Sequence, residues 1–484
     1  MRINMRVLRA VTVTCVVLLA GLGIVSAQSW TPLNNQPTIS ASNPLLLSNG
    51  KVMVHDADAG DWWALTPDIN GSYQNGTWSQ LASLPSGYAP LYFASAVLPD
   101  TRVVVLGGEY NNGVGVWTTL GAIYTPKTNK WKKLKAPSGW TSVGDAQSVI
   151  LENGTFMVAN CCTTQEALLD AANLTWTSTG TGKYDINDEE GWTLLPSGYV
   201  LTVDANDAPN TNSELYDPTT GSWSSAGSTI VELEDPSSHE LGPAVLRPDG
   251  TVIATGATGH NAIFDSITST WSAGPDFPKV NGQQLDIADG PAALLPSGNV
   301  LVMTSPGVYN TGAHFFEWNG TSWNSVPGTP NAPDDSSYYG NMLVLPTGEI
   351  LLTDFSTDVE LYTSSGSPQS SWAPTITSVP TTLKPNATYT IEGTQLNGLS
   401  QAGAYGDDDQ SATNYPLVRI INNATGHVFY CLTDKPSSMG VATGSQIVSA
   451  SFKLPAKADI ETGASQLEVV TNGIPSTAVS VTVK

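Results

Sequence analysis

The chain has 484 residues, of which 40% are hydrophobic and 8% aromatic, so it can fold into more than one globular domain. It carries 19 basic against 42 acidic residues, a formal charge of −23, which argues against nucleic acid and anionic membrane surfaces as partners. With only 4 cysteines, the chain is not a scaffold held together by disulfides.

The first 27 residues have the pattern of a secretory signal peptide. Three arginines precede an apolar run at 11–25, and Val25-Ser26-Ala27 fits the small-residue cleavage rule. Because this run is short for a membrane span, we expect no span, a mature N-terminus near Gln28, and a secreted protein, extracellular or periplasmic. Removing the leader leaves 16 basic and 42 acidic residues, a formal charge of −26.

A strand–turn–strand pattern recurs along the chain about every 50 residues. In the copy GWTLLPSGYVLTVD at 191–204, two apolar runs flank Pro196-Ser197-Gly198, and the glycine suits the positive φ of a hairpin turn. The other six copies lie at 45–54, 96–106, 149–158, 244–256, 293–303 and 343–354. A tryptophan follows each turn, and we expect these residues to pack between units: Trp78, Trp131, Trp176, Trp223, Trp271, Trp323 and Trp372. The repeat predicts a seven-bladed kelch-type β-propeller over 28–373.

Both ends of the repeat region carry further signals. The segment Ser29–Leu33 precedes the first unit, and the last unit lacks a clear fourth strand, so we expect the N-terminal strand to complete it. After Pro374 the repeat stops, and short alternating strands run to Lys484. This pattern predicts a C-terminal immunoglobulin-like β-sandwich over 374–484, and an all-β protein of two domains after the signal peptide 1–27.

Three cysteines remain after the leader, and their pairing is left open. Cys161 and Cys162 are adjacent and could close a vicinal disulfide, or one of them could pair with Cys431. The third alternative is that all three are buried thiols.

Several polar segments have both a functional and a structural interpretation. The stretches Asp185–Glu190 and 205–212 could bind Ca²⁺ through oxygen ligands, but polar surface loops are favoured. Asp407–Asp409 is also interpreted as a surface loop, with Ca²⁺ binding as the alternative. His239 lies among acidic residues and could serve a metal or general-base site, with a solvated loop favoured; the acids are Glu232, Glu234, Asp235 and Glu240.

A signal peptide, kelch-like units and a C-terminal sandwich together resemble the galactose oxidase family of copper radical oxidases. The resemblance implies a copper-ligating radical tyrosine at Tyr92, in YFASAVLPDTR, and an aromatic residue stacked over it at Tyr110, in VVVLGGEY. It also implies an axial tyrosine at Tyr338, followed by a copper-binding histidine where this chain has Tyr339. For the last copper ligand, a histidine on a sandwich loop, the candidate is His427.

The chain departs from this family at two chemically important positions. Tyr339 replaces a histidine, and no cysteine between 28 and 160 could cross-link the radical tyrosine. Since Cu(II) needs about four N or O donors, we expect no cofactor and a non-redox protein that binds an extracellular glycan or protein through its axial face. The alternative is a divergent copper radical oxidase of primary alcohols or aldehydes that produces hydrogen peroxide. A purely structural role at the cell surface or in a matrix is the third hypothesis.

Overall fold

The computed structural model describes residues 28–206 and 211–484, so the expected signal peptide lies outside the described residues. The described chain is all-β, with 41% of residues in strands and 2% in helices. Among the described residues, no helix combines the length and apolar character needed to cross a membrane. The short 3-10 helices are Pro126–Thr128, Ser337–Tyr339 and Ser370–Trp372.

Four-stranded antiparallel sheets follow one another along the chain, as in a β-propeller, and are numbered here in chain order. Sheet 1 consists of Ala41–Leu46, Val52–Asp56, Trp62–Thr66 and Thr77–Gln80. Sheet 2 consists of Ala94–Val97, Val103–Leu106, Gly121–Thr125 and Lys130–Lys133. Sheet 3 consists of Ser148–Ile150, Phe156–Ala159, Glu166–Asp170 and Thr175–Thr179. Sheet 4 consists of Thr193–Leu194, Val200–Val203, Ser213–Asp217 and Ser222–Ser225.

The later sheets repeat this order. Sheet 5 consists of Leu241–Leu246, Thr251–Gly256, Asn261–Asp265 and Thr270–Ala273. Sheet 6 consists of Ala292–Leu294, Val300–Thr304, His314–Trp318 and Trp323–Val326. Sheet 7 consists of Asn341–Val344, Ile350–Thr353, Glu360–Thr363 and Ser29–Pro32. First strands of most neighbouring sheets contact one another, and sheet 7 contacts sheet 1, so these first strands are the innermost ones.

The N-terminal strand joins the last sheet, which confirms the prediction made for it. Ser29–Pro32 pairs antiparallel with Glu360–Thr363, so the two ends of the repeat region share one sheet. Hairpin turns join the two inner strands of each sheet, and the turn glycine of sheet 4, Gly198, has φ +82°. In sheet 2 the equivalent residue is Thr101, which takes φ +76° although it carries a Cβ.

Tryptophan side chains tie each sheet to the one before it, as expected of packing between units. Each indole Nε1 donates a hydrogen bond to the preceding sheet or the segment just after it; the donors are Trp78, Trp131, Trp176, Trp223, Trp271 and Trp323. In sheet 7 the equivalent donor is Trp30 on the N-terminal strand, which donates to the carbonyl of Pro327 at 2.8 Å, and Trp372 does not hold this position. The ring of Trp372 instead lies over Gly298.

The C-terminal part of the chain forms two further sheets around their own apolar core. One contains Thr375–Ser378, Thr388–Thr394, Ile447–Lys453 and Leu432–Asp434. The other contains Thr382–Leu383, Val479–Val483, Gly463–Thr471, Leu417–Asn422, Val428–Tyr430 and Ile474–Pro475. Two smaller sheets are present as well. One contains Pro90–Leu91, Tyr110–Asn111 and Val114–Gly115, and the other pairs Lys279–Val280 with Gln283–Gln284.

Between two strands of this C-terminal part, residues 396–415 leave it and run along the innermost strands of the sheets; we call them the axial segment. Its short strand Gly403–Ala404 pairs with Ala292–Ala293 of sheet 6. The side chain of Gln401 accepts a hydrogen bond from the backbone N–H of Leu194 in sheet 4 at 2.7 Å. Nearly every residue of the axial segment is buried, so it fills the axis of the ring.

Candidate functional site

At one end of the axis, chemically active side chains come from the residues that lead into the innermost strands. All innermost strands begin at this end, so the residues just before them are neighbours in space although they are far apart in sequence. These residues are Tyr92 before sheet 2, Asp145 before sheet 3, Glu189 before sheet 4, Glu240 before sheet 5, Asp289 before sheet 6, and Tyr338 and Tyr339 before sheet 7.

The axial segment adds the residues Tyr405–Asp409 to this end of the axis. Asp407 and Asp408 are each 1% exposed, so the interpretation of Asp407–Asp409 as a surface loop is wrong. The reason is the β-pairing of the preceding strand with sheet 6, which draws the loop into the ring. The fit is close, since a Cβ at Gly406 would overlap the carboxylate of Asp289.

Five carboxylates meet here and form what we call the axial carboxylate cluster: Asp145, Glu189, Glu240, Asp289 and Asp407. One group, Asp145, Glu189 and Asp407, places a carboxylate oxygen of each residue within 4.8 Å of the others. Glu189, Glu240 and Asp289 form a second group with the same spacing. Glu189 belongs to both groups, so the five side chains make one continuous acidic cluster.

Burial and mutual repulsion both favour the protonated state of these acids. Burial raises the pKa of Asp407 well above its ordinary value, and the nearby Glu240 raises it further. The pKa of Asp289 is raised by burial and then by Glu240, and that of Glu189 by burial and then by Asp407. Holding all five as free anions would therefore be costly unless a proton or a cation neutralises them.

A group of aromatic rings lies beside the axial carboxylate cluster, at the same end of the axis. Tyr92 stacks on Tyr405 with ring centroids 6.4 Å apart, and its ring lies 6.3 Å from Tyr110 and 6.0 Å from Phe355. Burial raises the pKa of Tyr92 well above its ordinary value, and the nearby Asp408 adds to this effect. Neutral phenol is therefore the favoured form of Tyr92 in the protein alone.

Several of these residues hold backbone conformations that side chains disfavour. Tyr92, Glu189, Asp289 and Tyr309 have φ values of +52°, +59°, +56° and +59°. Each such conformation costs on the order of 1 kcal/mol or more outside glycine. Residues of this kind concentrate at functional sites, where the surrounding fold holds them in place.

The remaining residues expected in a copper site are placed as follows. Tyr338 and Tyr339 have ring centroids 4.4 Å apart, and Tyr338 also lies 5.5 Å from Tyr309 at the same end of the axis. His427 lies on the C-terminal sheets, with its Nδ1 2.7 Å from a carboxylate oxygen of Glu461. Thus the structure brings Tyr92 close to Tyr110, and it gives His427 a partner outside the axial carboxylate cluster.

His239, the histidine with several acidic neighbours in sequence, is paired on the rim. Its Nδ1 lies 2.9 Å from a carboxylate oxygen of Glu234, and its side chain is 44% exposed. The next residue, Glu240, is the one that reaches the axial carboxylate cluster, and it accepts a hydrogen bond from the hydroxyl of Tyr309.

A second group of buried acids has its own counter-ion. Lys183 is fully buried, with Nζ 2.9 Å from Glu190, 2.5 Å from Glu214 and 3.9 Å from Asp204; we call these four residues the lysine cluster. The interpretation of Asp185–Glu190 as a polar surface loop is therefore wrong for its buried members, because Asp185, Asn187 and Glu190 pack inside. The other loop with this interpretation, 205–212, includes residues 207–210, which lie outside the described residues.

The cysteine alternatives are resolved in favour of a vicinal pair. Cys161 and Cys162 form a disulfide, and Cys431 is a free buried cysteine. Both sulfurs of the pair lie near Asp188, at 3.4 and 3.1 Å from its Oδ1.

The donor set around the axis is made of carboxylates and phenols. None of the groups of described residues that could hold a metal contains a histidine. Copper is compatible with the fold, but these oxygen donors do not match the two-histidine site that the family resemblance implies.

Comparison with known proteins supports the fold and leaves the chemistry open. No protein-family model matches the chain, and no curated protein matches it either. Among solved structures, a fungal alcohol oxidase of the AA5 family in complex with copper has a TM-score of 0.50 at 14% identity, covering 95% of this chain and 100% of that one. The extracellular domain of a protein described as a hybrid two-component system from B. thetaiotaomicron also has a TM-score of 0.50, at 10% identity. This match covers 95% of the present chain and 59% of the B. thetaiotaomicron chain.

These similarities support a β-propeller fold. At such low identity they assign no activity to this chain. The axial carboxylate cluster was missed in the sequence, although a signal was present: Asp145, Glu189, Glu240 and Asp289 each stand one to four residues before an innermost strand. That shared position predicts a common end of the axis.

Proposed function

We propose that this chain is a secreted, galactose-oxidase-like protein that binds a neutral or basic glycan at the axial end without redox chemistry. Its architecture, in this proposal, is a seven-bladed kelch-type propeller over 28–373 followed by an immunoglobulin-like sandwich over 374–484. The sheet order in the described residues supports both parts of this architecture.

The observation that carries the proposal is the set of accessible aromatic side chains next to buried acids. Trp117 is 51% exposed and Tyr309 is 44% exposed, while Tyr92, Tyr110 and Tyr338 are partly exposed. The ring of Trp117 lies over Gly144, the residue before Asp145. Aromatic faces pack against the C–H surfaces of sugar rings, and nearby carboxylates accept hydrogen bonds from hydroxyl groups.

The class of glycan follows from charge. The mature chain has a formal charge of −26, and the axial carboxylate cluster lies under the aromatic surface. An acidic glycan would be repelled by the net negative charge of the protein, whereas neutral and amino sugars would not. The exposed apolar residues Val114 and Val116 flank this surface and widen it.

The test is a glycan array probed with the mature chain, followed by titration of the strongest ligands. We expect binding to neutral or amino-sugar glycans that weakens about tenfold or more in Trp117→Ala, because a central aromatic contact is lost. The matched control is Tyr199→Ala, since Tyr199 is exposed at the hairpin-turn end of sheet 4 and should not affect binding. Retention of a protein partner with no glycan signal would instead support a protein-binding role.

A copper oxidase is the second candidate, supported by the closeness of Tyr92 and Tyr110 and by the fold of the fungal alcohol oxidase. In it Tyr92, Tyr338 and Tyr339 would be metal ligands at the axial end, and copper would supply one-electron chemistry. His427, the remaining ligand that the resemblance implies, would have to give up its contact with Glu461. The mature chain is loaded with copper, freed of excess metal and analysed for bound copper and peroxide release from primary alcohols. Peroxide that disappears in Tyr92→Phe supports this candidate, and no stoichiometric copper with no peroxide excludes it.

A further inference from the structure

We propose that the axial carboxylate cluster binds a hard divalent cation of the calcium class, with Asp145, Glu189 and Asp407 as carboxylate ligands. Glycan binding at the aromatic surface does not require this ion, and the copper site implied by the family resemblance uses other residues. The inference therefore goes beyond the proposed function.

The first support is geometry. One carboxylate oxygen from each of Asp145, Glu189 and Asp407 lies within 4.8 Å of the other two. Oxygens that bind the same Ca²⁺ each lie about 2.3–2.6 Å from it, so their mutual distances cannot exceed about 5.2 Å. The three oxygens already satisfy this limit. They come from the loops before sheets 3 and 4 and from the axial segment, so tertiary structure brings them together.

The second support is independent of spacing. Oδ1 of Asp145 and Oδ2 of Asp407 are buried, and neither makes a hydrogen bond to any other described residue. Asp145 is 9% exposed and Asp407 is 1% exposed, so solvent reaches these side chains poorly. A buried carboxylate oxygen without a donor is strongly destabilising unless a cation or a proton lies against it.

The third support is the lack of a protein counter-ion. Within residues 28–206 and 211–484, none of the ion pairs involves Asp145, Glu189 or Asp407. The nearest comparable group of buried acids, the lysine cluster, is compensated by Lys183. The axial carboxylate cluster has the same kind of acids and no such lysine.

The chemistry of the donors selects the ion. Carboxylate oxygens prefer hard cations, whereas zinc and copper sites draw on histidine and cysteine. Mg²⁺ usually keeps several waters and binds one or two carboxylates, while Ca²⁺ accepts six to eight oxygens in flexible geometry. A site with three buried carboxylates from three segments therefore favours Ca²⁺ over Mg²⁺.

The remaining two acids of the cluster are not assigned as ligands of the ion. Glu240 and Asp289 belong to the second group of three carboxylates, and Glu240 accepts a hydrogen bond from the hydroxyl of Tyr309.

The experiment uses the full mature chain, stripped with chelator and titrated with Ca²⁺ by calorimetry. Tb³⁺ luminescence provides a second readout, since tyrosines lie close by to sensitise it. We expect one Ca²⁺ per chain, a higher melting temperature in Ca²⁺ than in chelator, and weaker binding of Mg²⁺. Asp407→Asn and Glu189→Gln should each weaken Ca²⁺ binding about tenfold or more, because each removes a charged ligand.

The matched control is Asp276→Asn, which removes an exposed acid paired with His260 and should leave Ca²⁺ affinity unchanged. If a ligand variant does not fold, the other one and the Tb³⁺ signal of the wild-type chain still decide the matter. The proposal is overturned if the wild-type chain binds no Ca²⁺ at millimolar concentration, which would leave protons as the neutralising species. It is also overturned if both ligand variants bind Ca²⁺ as the wild type does. Glycan binding by Trp117→Ala is measured separately, so the two proposals fail independently.

Discussion

Glu189 and Glu190 are adjacent in the chain, yet they lie in two different groups of buried acids. Glu190 belongs to the lysine cluster, where Nζ of Lys183 lies 2.9 Å from its carboxylate and 2.5 Å from that of Glu214. Glu189 belongs to the axial carboxylate cluster, where none of the described ion pairs includes its carboxylate. Two adjacent residues thus contribute to two sites, of which only the lysine cluster contains a cationic side chain.

The difference shows what a buried acid requires. In the lysine cluster the chain supplies the cation, and further hydrogen bonds from Thr202 and the backbone of Tyr184 hold the carboxylates of Glu190 and Glu214 in place. Such an arrangement stabilises the fold and leaves little for a ligand to add. In the axial carboxylate cluster the compensation must come from protons or from a bound cation, which is a property of a binding site.

The largest expected effect comes from removing the cation of the lysine cluster. Lys183→Met should lower the free energy of unfolding by about 3–5 kcal/mol, because it leaves Glu190, Glu214 and Asp204 buried without a counter-charge. Urea unfolding of the chain from Gln28 to Lys484 measures this loss, and Lys135→Met at an exposed position is the control. A loss below about 1 kcal/mol would mean that the charge of Lys183 is not needed to keep these acids buried.

The second prediction uses Glu166, a buried acid beside the lysine cluster whose carboxylate accepts a hydrogen bond from Nε1 of Trp223 at 2.8 Å. Burial raises the pKa of Glu166 from 4.5 to about 8, although Trp223 and Lys183 act in the opposite direction. The folded protein therefore holds this proton more tightly than the unfolded chain. The stability it contributes is present below pH 4.5 and is lost as the pH rises through 8.

Glu166→Gln should remove that pH dependence, because glutamine does not titrate and can still accept from Trp223. We expect the variant to gain about 2–4 kcal/mol relative to the wild type between pH 4.5 and pH 9. Urea unfolding at several pH values tests this, with the exposed Glu232→Gln as control. Parallel pH curves for Glu166→Gln and the wild type would show that Glu166 titrates normally.

The third prediction concerns the closeness of the axial segment to the axial carboxylate cluster. A Cβ at Gly406 would overlap the carboxylate of Asp289, so Gly406→Ala should cost about 1–3 kcal/mol and also weaken Ca²⁺ binding. Gly115→Ala is the matched control, since its Cβ would make only ordinary contacts with Tyr110. Unchanged stability and unchanged Ca²⁺ affinity in Gly406→Ala would mean that the segment does not shape the site.

The smallest effect on stability is expected for the two acids that pair with a half-exposed histidine. Glu234→Gln removes the partner of His239, whose side chain is 44% exposed although that of Glu234 is 1% exposed, and should change stability by about 1 kcal/mol. Asp276→Asn removes the partner of His260 from a pair whose acid is 56% exposed, and should change stability by less than about 1 kcal/mol. Thermal unfolding of both variants checks this, and a loss of several kcal/mol in Glu234→Gln would place the pair among the buried clusters.

Much of the scaffold could be predicted from the residues alone. The fifty-residue repeat predicted strand–turn–strand units, and the glycine at 198 predicted a left-handed turn because that conformation disfavours other residues. The tryptophan pattern correctly predicted contacts between units, but it assigned Trp372 where Trp30 makes the contact. The error arose because the last unit closes with a strand from the opposite end of the chain.

The candidate site was less accessible to such reasoning. The resemblance directed attention to Tyr92 and Tyr110, which the structure places side by side, and to His427, which pairs with Glu461. Asp407 was interpreted as exposed, because three consecutive aspartates in a loop are usually solvated. No local pattern shows that a loop of the C-terminal part is drawn into the axis.

The sequence by itself determined the all-β class, the repeat and the positions of the turns, because these depend on short-range periodicity and on the conformational preferences of single residues. Tertiary structure alone decided which acids share a site. Glu189 and Glu190 reach different clusters although they are adjacent, and the turn between them holds Glu189 at φ +59°. Asp407 joins Asp145 and Glu189 only through the pairing of Gly403–Ala404 with sheet 6, a contact between residues more than a hundred positions apart.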